Sequence, residues 1–233
     1  MRREQHSGRI AMQGWGIFAA AFAVFFLSHA IPVRPPVRPW LVARLGPRGF
    51  TAAYSVLSLA ILAWLIVAAN RAPFVPLWFA PVWMSHLALT VMLGVCLLLA
   101  LTLGRPNPFS FGGARNAAFD PDRPGLIRYM RHPLLVALGV WALAHLLANG
   151  DLAHVILFGA FAGFALLGGR MIDRRKRRTL PDYDALRARS RKGRVIPPRG
   201  EWPAVAGRLL AGLVLYGVLL TLHGPVIGVS PLP

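Results

Sequence analysis

LLVALGVWALAHLLA-NGD-LAHVILFGAFAGFALLGGRM, residues 134–171, is a pair of apolar runs separated by three residues that interrupt a helix. The runs are Leu134–Ala148 and Leu152–Met171. Arg131-His132-Pro133 precedes the pair, and the cluster Arg174-Arg175-Lys176-Arg177-Arg178 follows it. Gly150 tolerates a left-handed backbone and Asp151 can cap the amides of a following helix. Pro133 suits a first helical turn, where its missing N–H costs nothing. The stretch therefore reads as a helical hairpin that crosses a membrane twice.

The rest of the chain agrees. Of its 233 residues 56% are hydrophobic and only 15% charged, against about 25% charged in a soluble domain. Six stretches approach the length needed to span about 30 Å of hydrocarbon at 1.5 Å per residue. They are Met12–Ile31, Phe50–Ala69, Val82–Leu103, the two arms of the hairpin, and Ala204–Leu222. The expectation is an all-α, polytopic membrane protein forming one domain over residues 1–233.

Charge orients it. The 26 Lys and Arg against 8 Asp and Glu give a formal charge of +18, which by itself invites a nucleic-acid partner. Only four of the 26, Arg2, Arg3, Arg9 and Arg71, fall in the N-terminal tail and the second loop. With six spans the remaining 22 all lie on one side of the bilayer. The positive-inside rule makes that side cytoplasmic and places both termini outside. The basic charge is thus a topology signal, and the expected partner is the lipid bilayer, not nucleic acid. Arg2, Arg3 and Arg9 ahead of an apolar run loosely resemble a signal peptide; the run of about 20 residues exceeds a signal's apolar core, so an uncleaved first span is expected.

Three connecting segments stand out. Residues 33–49 interleave four arginines with Trp40, Leu41, Val42 and Leu45, a pattern suited to the headgroup layer. Residues 104–130 form a Gly-, Pro- and Asn-rich cytoplasmic loop, longer than a connector requires. Residues 173–203 form a basic cytoplasmic loop, whose stretch Arg187–Arg199 reads as a lipid-facing patch.

Histidine is the residue class with chemistry to offer. Of seven, His29, His86, His145 and His154 lie inside or at the ends of apolar runs, where ionisable groups usually face the bundle interior and mark function. Counting from span midpoints at 1.5 Å per residue, His145 lies about 6 Å, His86 about 10 Å and His154 roughly 12 Å toward the outer side, with His29 about 10 Å toward the inner. A bis-histidine haem fits His86 with His145; His29 with His145 needs a tilted ring or a shifted first span. Trp141, one turn before His145, can wall a flat cofactor. The single cysteine, Cys96, excludes an internal disulfide and a cysteine-rich metal site. No H-E-x-x-H motif occurs and no carboxylate lies within a span, which removes zinc hydrolysis and the usual proton-coupled transporter.

The run Trp141-Ala142-Leu143-Ala144-His145-Leu146-Leu147-Ala148-Asn149-Gly150-Asp151 resembles the NnrU family of bacterial membrane proteins, as do Arg131-His132-Pro133, Arg170-Met171-Ile172-Asp173-Arg174-Arg175, Ser28-His29 and His86-Leu87-Ala88-Leu89. The resemblance implies a multi-pass protein of the bacterial inner membrane, associated with nitrite and nitric oxide metabolism in denitrification. It also implies kinship with zeta-carotene isomerase, a membrane enzyme whose haem b is held by two histidines. Carried over by motif, those ligands are His29 and His145. The isomerase cysteine three residues before the second ligand is Ala142 here, which puts double-bond isomerisation in doubt.

A second resemblance links Arg131-His132-Pro133, Tyr183 and Val195-Ile196-Pro197 to isoprenylcysteine-type membrane methyltransferases, which bind S-adenosylmethionine nearby. The usual glutamate pair is missing, and Asp173 is the acid near that position. The resulting expectation is a haem-binding NnrU-type protein with His145 as ligand and His29 or His86 as its partner. It would act as a redox or nitric-oxide-responsive component, or as an accessory to a membrane reductase. Isomerase and methyltransferase readings stand beside it, so both enzyme and non-enzyme classes stay open.

Overall fold

A computed structural model describes residues 2–232, with side chains from residue 12 onward. Seven α-helices follow in order: α1 (Arg2–Ala30), α2 (Val37–Arg71), α3 (Val82–Thr102), α4 (Pro133–Ala148), α5 (Leu152–Thr179), α6 (Tyr183–Lys192) and α7 (Trp202–Ile227). No strand occurs among the described residues. Five helices, α1, α2, α3, α5 and the α7 region, are long and apolar enough to cross a membrane. The sixth expected span, α4, has 16 residues, so it rises only about 24 Å. The chain is an all-α integral membrane protein, and its long apolar helices leave many large Leu, Val and Phe side chains exposed, a surface suited to a lipid bilayer.

The chain divides into two compact units, residues 1–77 with 151–154, and residues 78–150 with 155–233. In the first, α1 packs on α2; Phe18 and Ala21 of α1 and Ile61, Leu65, Ala68 and Ala69 of α2 are buried. The basic segment before Gly49 is largely helical. It breaks at Gly46, whose φ of +70° is a conformation only glycine adopts cheaply, and Pro47 then starts the membrane helix at a position where it needs no N–H. Within the short helix Arg44 lies over the Trp40 ring, 4.5 Å from its centre, so this stretch keeps the amphipathic character suited to headgroups.

In the second unit α3 packs against both α4 and α7. Arg208 of α7 donates to the carbonyls of Ala100 and Leu103 at 2.8 and 3.0 Å, placing a cation at the C-terminal end of α3, where the helix dipole favours it. The long loop 104–130 is ordered around its own small core of Phe109, Ile127 and Tyr183, with Phe119, Leu180 and Leu186 packed on it. Asn107 holds the loop to the start of the hairpin: its side-chain N–H donates to the Arg131 carbonyl at 2.9 Å, and its side-chain oxygen accepts from the Phe109 amide at 3.1 Å.

The hairpin turn differs from expectation in one respect. Asp151 caps α5 as expected, accepting from the His154 amide at 3.3 Å. Gly150 is not left-handed; it is required by close approach. The Trp78 amide donates to the Gly150 carbonyl at 3.1 Å, and a Cβ at Gly150 would overlap the Trp78 carbonyl oxygen. The Trp78 indole N–H adds a bond to the Leu147 carbonyl at 3.2 Å.

Candidate functional site

Two histidine-centred sites lie in the second unit. The first is built at the start of α4. His132 precedes Pro133, which occupies the first helical turn. The His132 ring is 8% exposed and bonded on both nitrogens: Nε2 to Asp173 Oδ1 at 3.0 Å and Nδ1 to Ser110 Oγ at 3.0 Å. Asp173 also accepts from the Tyr183 hydroxyl at 2.5 Å and from Arg131 at 2.7 Å. One carboxylate on α5 therefore collects the start of α4, the start of α6 and, through His132, the loop at Ser110.

Desolvation sets the protonation of this cluster. Burial pulls His132 below its ordinary value, against the opposing pull of Asp173, so near neutrality Nε2–H donates and Nδ1 accepts the Ser110 hydroxyl. Burial and then the Asp173 carboxylate push Tyr183 up to about 12. Three donors occupy most of the roughly four acceptor sites of a carboxylate. The cluster is an internally satisfied lock, in which His132 has no spare nitrogen for a substrate.

Beside the lock, α4 and α5 leave a groove of about 480 Å³ with Arg131, Arg187 and Arg191 at its polar end. Arg187 departs from the expected lipid-facing patch, being 7% exposed. Its guanidinium donates to the Ile127 and Arg128 carbonyls at 2.9 and 3.1 Å.

The second site surrounds His145 in the last turn of α4. Its Nδ1 lies 2.9 Å from the Trp141 carbonyl one turn earlier, and its ring lies against Trp141 and Phe158 at centroid distances of 5.2 and 5.1 Å. The imidazole of His223, near the end of α7, lies beside it, centroid to centroid 6.5 Å with ring planes 23° apart. His223 Nδ1 lies 2.7 Å from the Val229 carbonyl. In both rings Nδ1 is placed to give a proton to a backbone carbonyl, a contact that orients an imidazole.

The other expected histidines are placed apart from this pair in kind. His86 sits on an exposed face of α3. His154 is engaged at the hairpin turn, Nδ1 with Asp151 at 2.7 Å and Nε2 with Asn70 at 2.9 Å. His29 belongs to the first unit. Its Nδ1 lies 2.8 Å from the Phe25 carbonyl, and its ring is near Phe25 and Tyr54. His223 is the residue that hydropathy misses, because the apolar run stops at Leu222 while α7 continues through Pro225 to Ile227.

Among the described residues no cluster of three or more His, Cys, Asp or Glu could hold a bare metal ion. Haem asks for less, since it needs only one or two side-chain ligands from the protein. His145 and His223, with ring centroids 6.5 Å apart and each Nδ1 against a backbone carbonyl, are a pair that would supply them.

Comparison with curated proteins and with solved structures returns no match. The family model described as NnrU protein matches residues 17–231, a stretch that holds the hairpin, both histidine sites and His29, and the chain belongs to the NnrU family.

Proposed function

We propose that this NnrU-family membrane protein binds haem b, which His145 and His223 would hold, and serves as a redox or nitric-oxide-responsive component of nitrogen-oxide metabolism. The observation that carries the reading is the paired imidazoles, 6.5 Å apart, each with Nδ1 directed at a backbone carbonyl. When bound, haem supplies one-electron chemistry and an iron that nitric oxide can ligate.

The chain's own contribution is orientation and a dry surround. The Trp141 carbonyl sets the His145 tautomer, and the Val229 carbonyl does the same for His223. Trp141 and Phe158 pack against His145, and Trp141 meets Phe158 and Phe161 edge-on at 5.3 and 5.6 Å, an apolar surround that limits water access. Ala142, fully buried, offers no thiol for a ligand exchange, which disfavours isomerase-type chemistry.

The test is the visible spectrum of the detergent-purified, haem-replete full chain, oxidised and reduced. A Soret band with split α/β bands on reduction is expected, lost or shifted in both His145→Ala and His223→Ala and retained in His86→Ala. A band that survives His223→Ala but not His29→Ala would transfer the partnership to His29. No band at all would refute the haem reading.

A further inference from the structure

The α4–α5 groove has two features that the histidine pair does not use. Its wall is apolar and partly open to the surroundings: Val136, Val140 and Leu143 of α4 and Leu166 of α5 line it and remain 37–74% exposed. From His132 to Leu143 it follows α4 for about 16 Å at 1.5 Å per residue, which is half of a hydrocarbon layer of about 30 Å, or one leaflet. A volume of about 480 Å³ lies within the range of pockets that hold small molecules.

Its charged lining is cationic and unbalanced. Arg131, Arg187 and Arg191 line it, and the acid beside them, Asp173, is already spent on Arg131, His132 and Tyr183. With His132 neutral, three positive charges face one negative. Arg187 is more than nine-tenths buried, yet its Nε has no hydrogen-bond partner. Native structures rarely leave a buried donor unspent without a reason. Burial, then the Arg131 and Arg191 charges, depress the Arg187 pKa, and an anion seated among the three would offset their mutual repulsion and give the Arg187 Nε–H an acceptor.

We propose that this groove is a binding site for an anionic phospholipid drawn from the bilayer, one acyl chain lying along α4 between Val136 and Leu143 and the phosphate set against Arg187, Arg191 and Arg131. Charge complementarity selects the head and the one-leaflet depth selects the chain. Arg187, its terminal nitrogens held by the Ile127 and Arg128 carbonyls, offers its unspent Nε–H, and Arg191 supplies a planar fork that meets phosphate oxygens with several donors at once. The apolar wall sets this site apart from a simple anion site, which would need no slot reaching the middle of the bilayer.

Native mass spectrometry of the full chain in detergent, titrated separately with phosphatidylglycerol, phosphatidylcholine and glycerol phosphate, tests the assignment. One phosphatidylglycerol per chain should be retained, preferred over phosphatidylcholine by roughly tenfold or more, since each nearby arginine contributes about 1 kcal/mol toward an anionic lipid. Arg191→Gln, at an exposed position outside the lock, should weaken retention by about fivefold. Val140→Trp should fill the slot and abolish the preference while leaving the thermal transition in place. Equal retention of the two lipids, or retention indifferent to both variants, would mean ordinary annular lipid and overturn the proposal. Glycerol phosphate competing as well as the lipid would also overturn it, by showing an anion site with no use for the groove.

Discussion

Replacing Asp173 by alanine should be the most damaging single change on the basic side of the protein, and its cost can be worked from the contacts. The substitution strands three donors. Tyr183 loses a hydroxyl bond of 2.5 Å at a residue only 4% exposed, and His132 loses its Nε2 partner with a side chain 9% exposed. Leaving a buried donor without an acceptor costs about 1–3 kcal/mol each. The third donor, Arg131, has a side chain 31% exposed; water replaces most of what it loses, so it adds about 0–1 kcal/mol. The sum is about 2–7 kcal/mol. For a chain of this size 1 kcal/mol moves the transition by about 2–4 °C, giving a fall of roughly 4–28 °C. A fluorescence-detected thermal shift on the detergent-purified full chain reads it. Asp184→Ala is the control, since that carboxylate is 75% exposed beside Arg177 and its loss should cost under about 0.5 kcal/mol. If Asp173→Ala melts within about 3 °C of wild type, or no lower than the control, the carboxylate is not the fastener argued here.

Acid should act on the same lock. Because burial holds the His132 pKa below its usual 6.5, the unfolded chain binds that proton more readily, so stability is intact above pH 6.5 and falls as pH drops toward the folded value; melting temperatures measured downward from pH 7.5 should decline, with a shallower decline in His132→Gln. Tyr183 has the opposite sign: pushed up to about 12 from 10, it contributes fully below pH 10 and loses that contribution between pH 10 and 12, a window in which Tyr183→Phe should show a flatter profile. At the hairpin, Gly150→Ala must displace the Trp78 carbonyl and should cost about 2 kcal/mol or more, whereas Trp78→Phe, which gives up the bond to Leu147, should cost about 1 kcal/mol; if thermal shifts rank them in reverse order, the account of the turn fails.

The membrane helices were legible in the sequence because hydrocarbon demands long uncharged runs and nothing else in a chain produces them. The break before the second span is likewise written in Gly46-Pro47, a residue that accepts positive φ followed by one that starts helices. Gly150 shows where this stops. Its identity is consistent with a left-handed turn, and only the placement of Trp78, far away in sequence, reveals that it serves close approach. Arg187 was hidden for a similar reason. In a run with Arg189, Arg191 and Lys192 a buried arginine is indistinguishable from its solvated neighbours until the carbonyls of Ile127 and Arg128 are seen to face it. His223 was missed through a boundary. A proline within the last helix, Pro225, marks the end of an apolar run in sequence but not the end of α7, and it costs the helix little so close to its terminus.

The two histidine sites are separated by what happens to the second ring nitrogen. In His132 one nitrogen meets a carboxylate and the other a hydroxyl, so any ligand arriving there must break a bond that the fold depends on. In His145 and His223 Nδ1 meets a backbone carbonyl of the residue's own segment, a contact that orients the ring without tying it to another element. His29 shares this second arrangement through Phe25, which is why it stays in the ligand test and His86 serves as the control. The Arg-His-Pro triplet, although it sits beside the groove, thus works through geometry: Arg131 and His132 both end on Asp173, and Pro133 starts the helix that carries His145 three turns later. Breaking that lock should therefore loosen haem retention indirectly. Asp173→Ala should lower the melting temperature first and bleach the Soret band only at temperatures near its own transition, while His145→Ala should remove the band at every temperature.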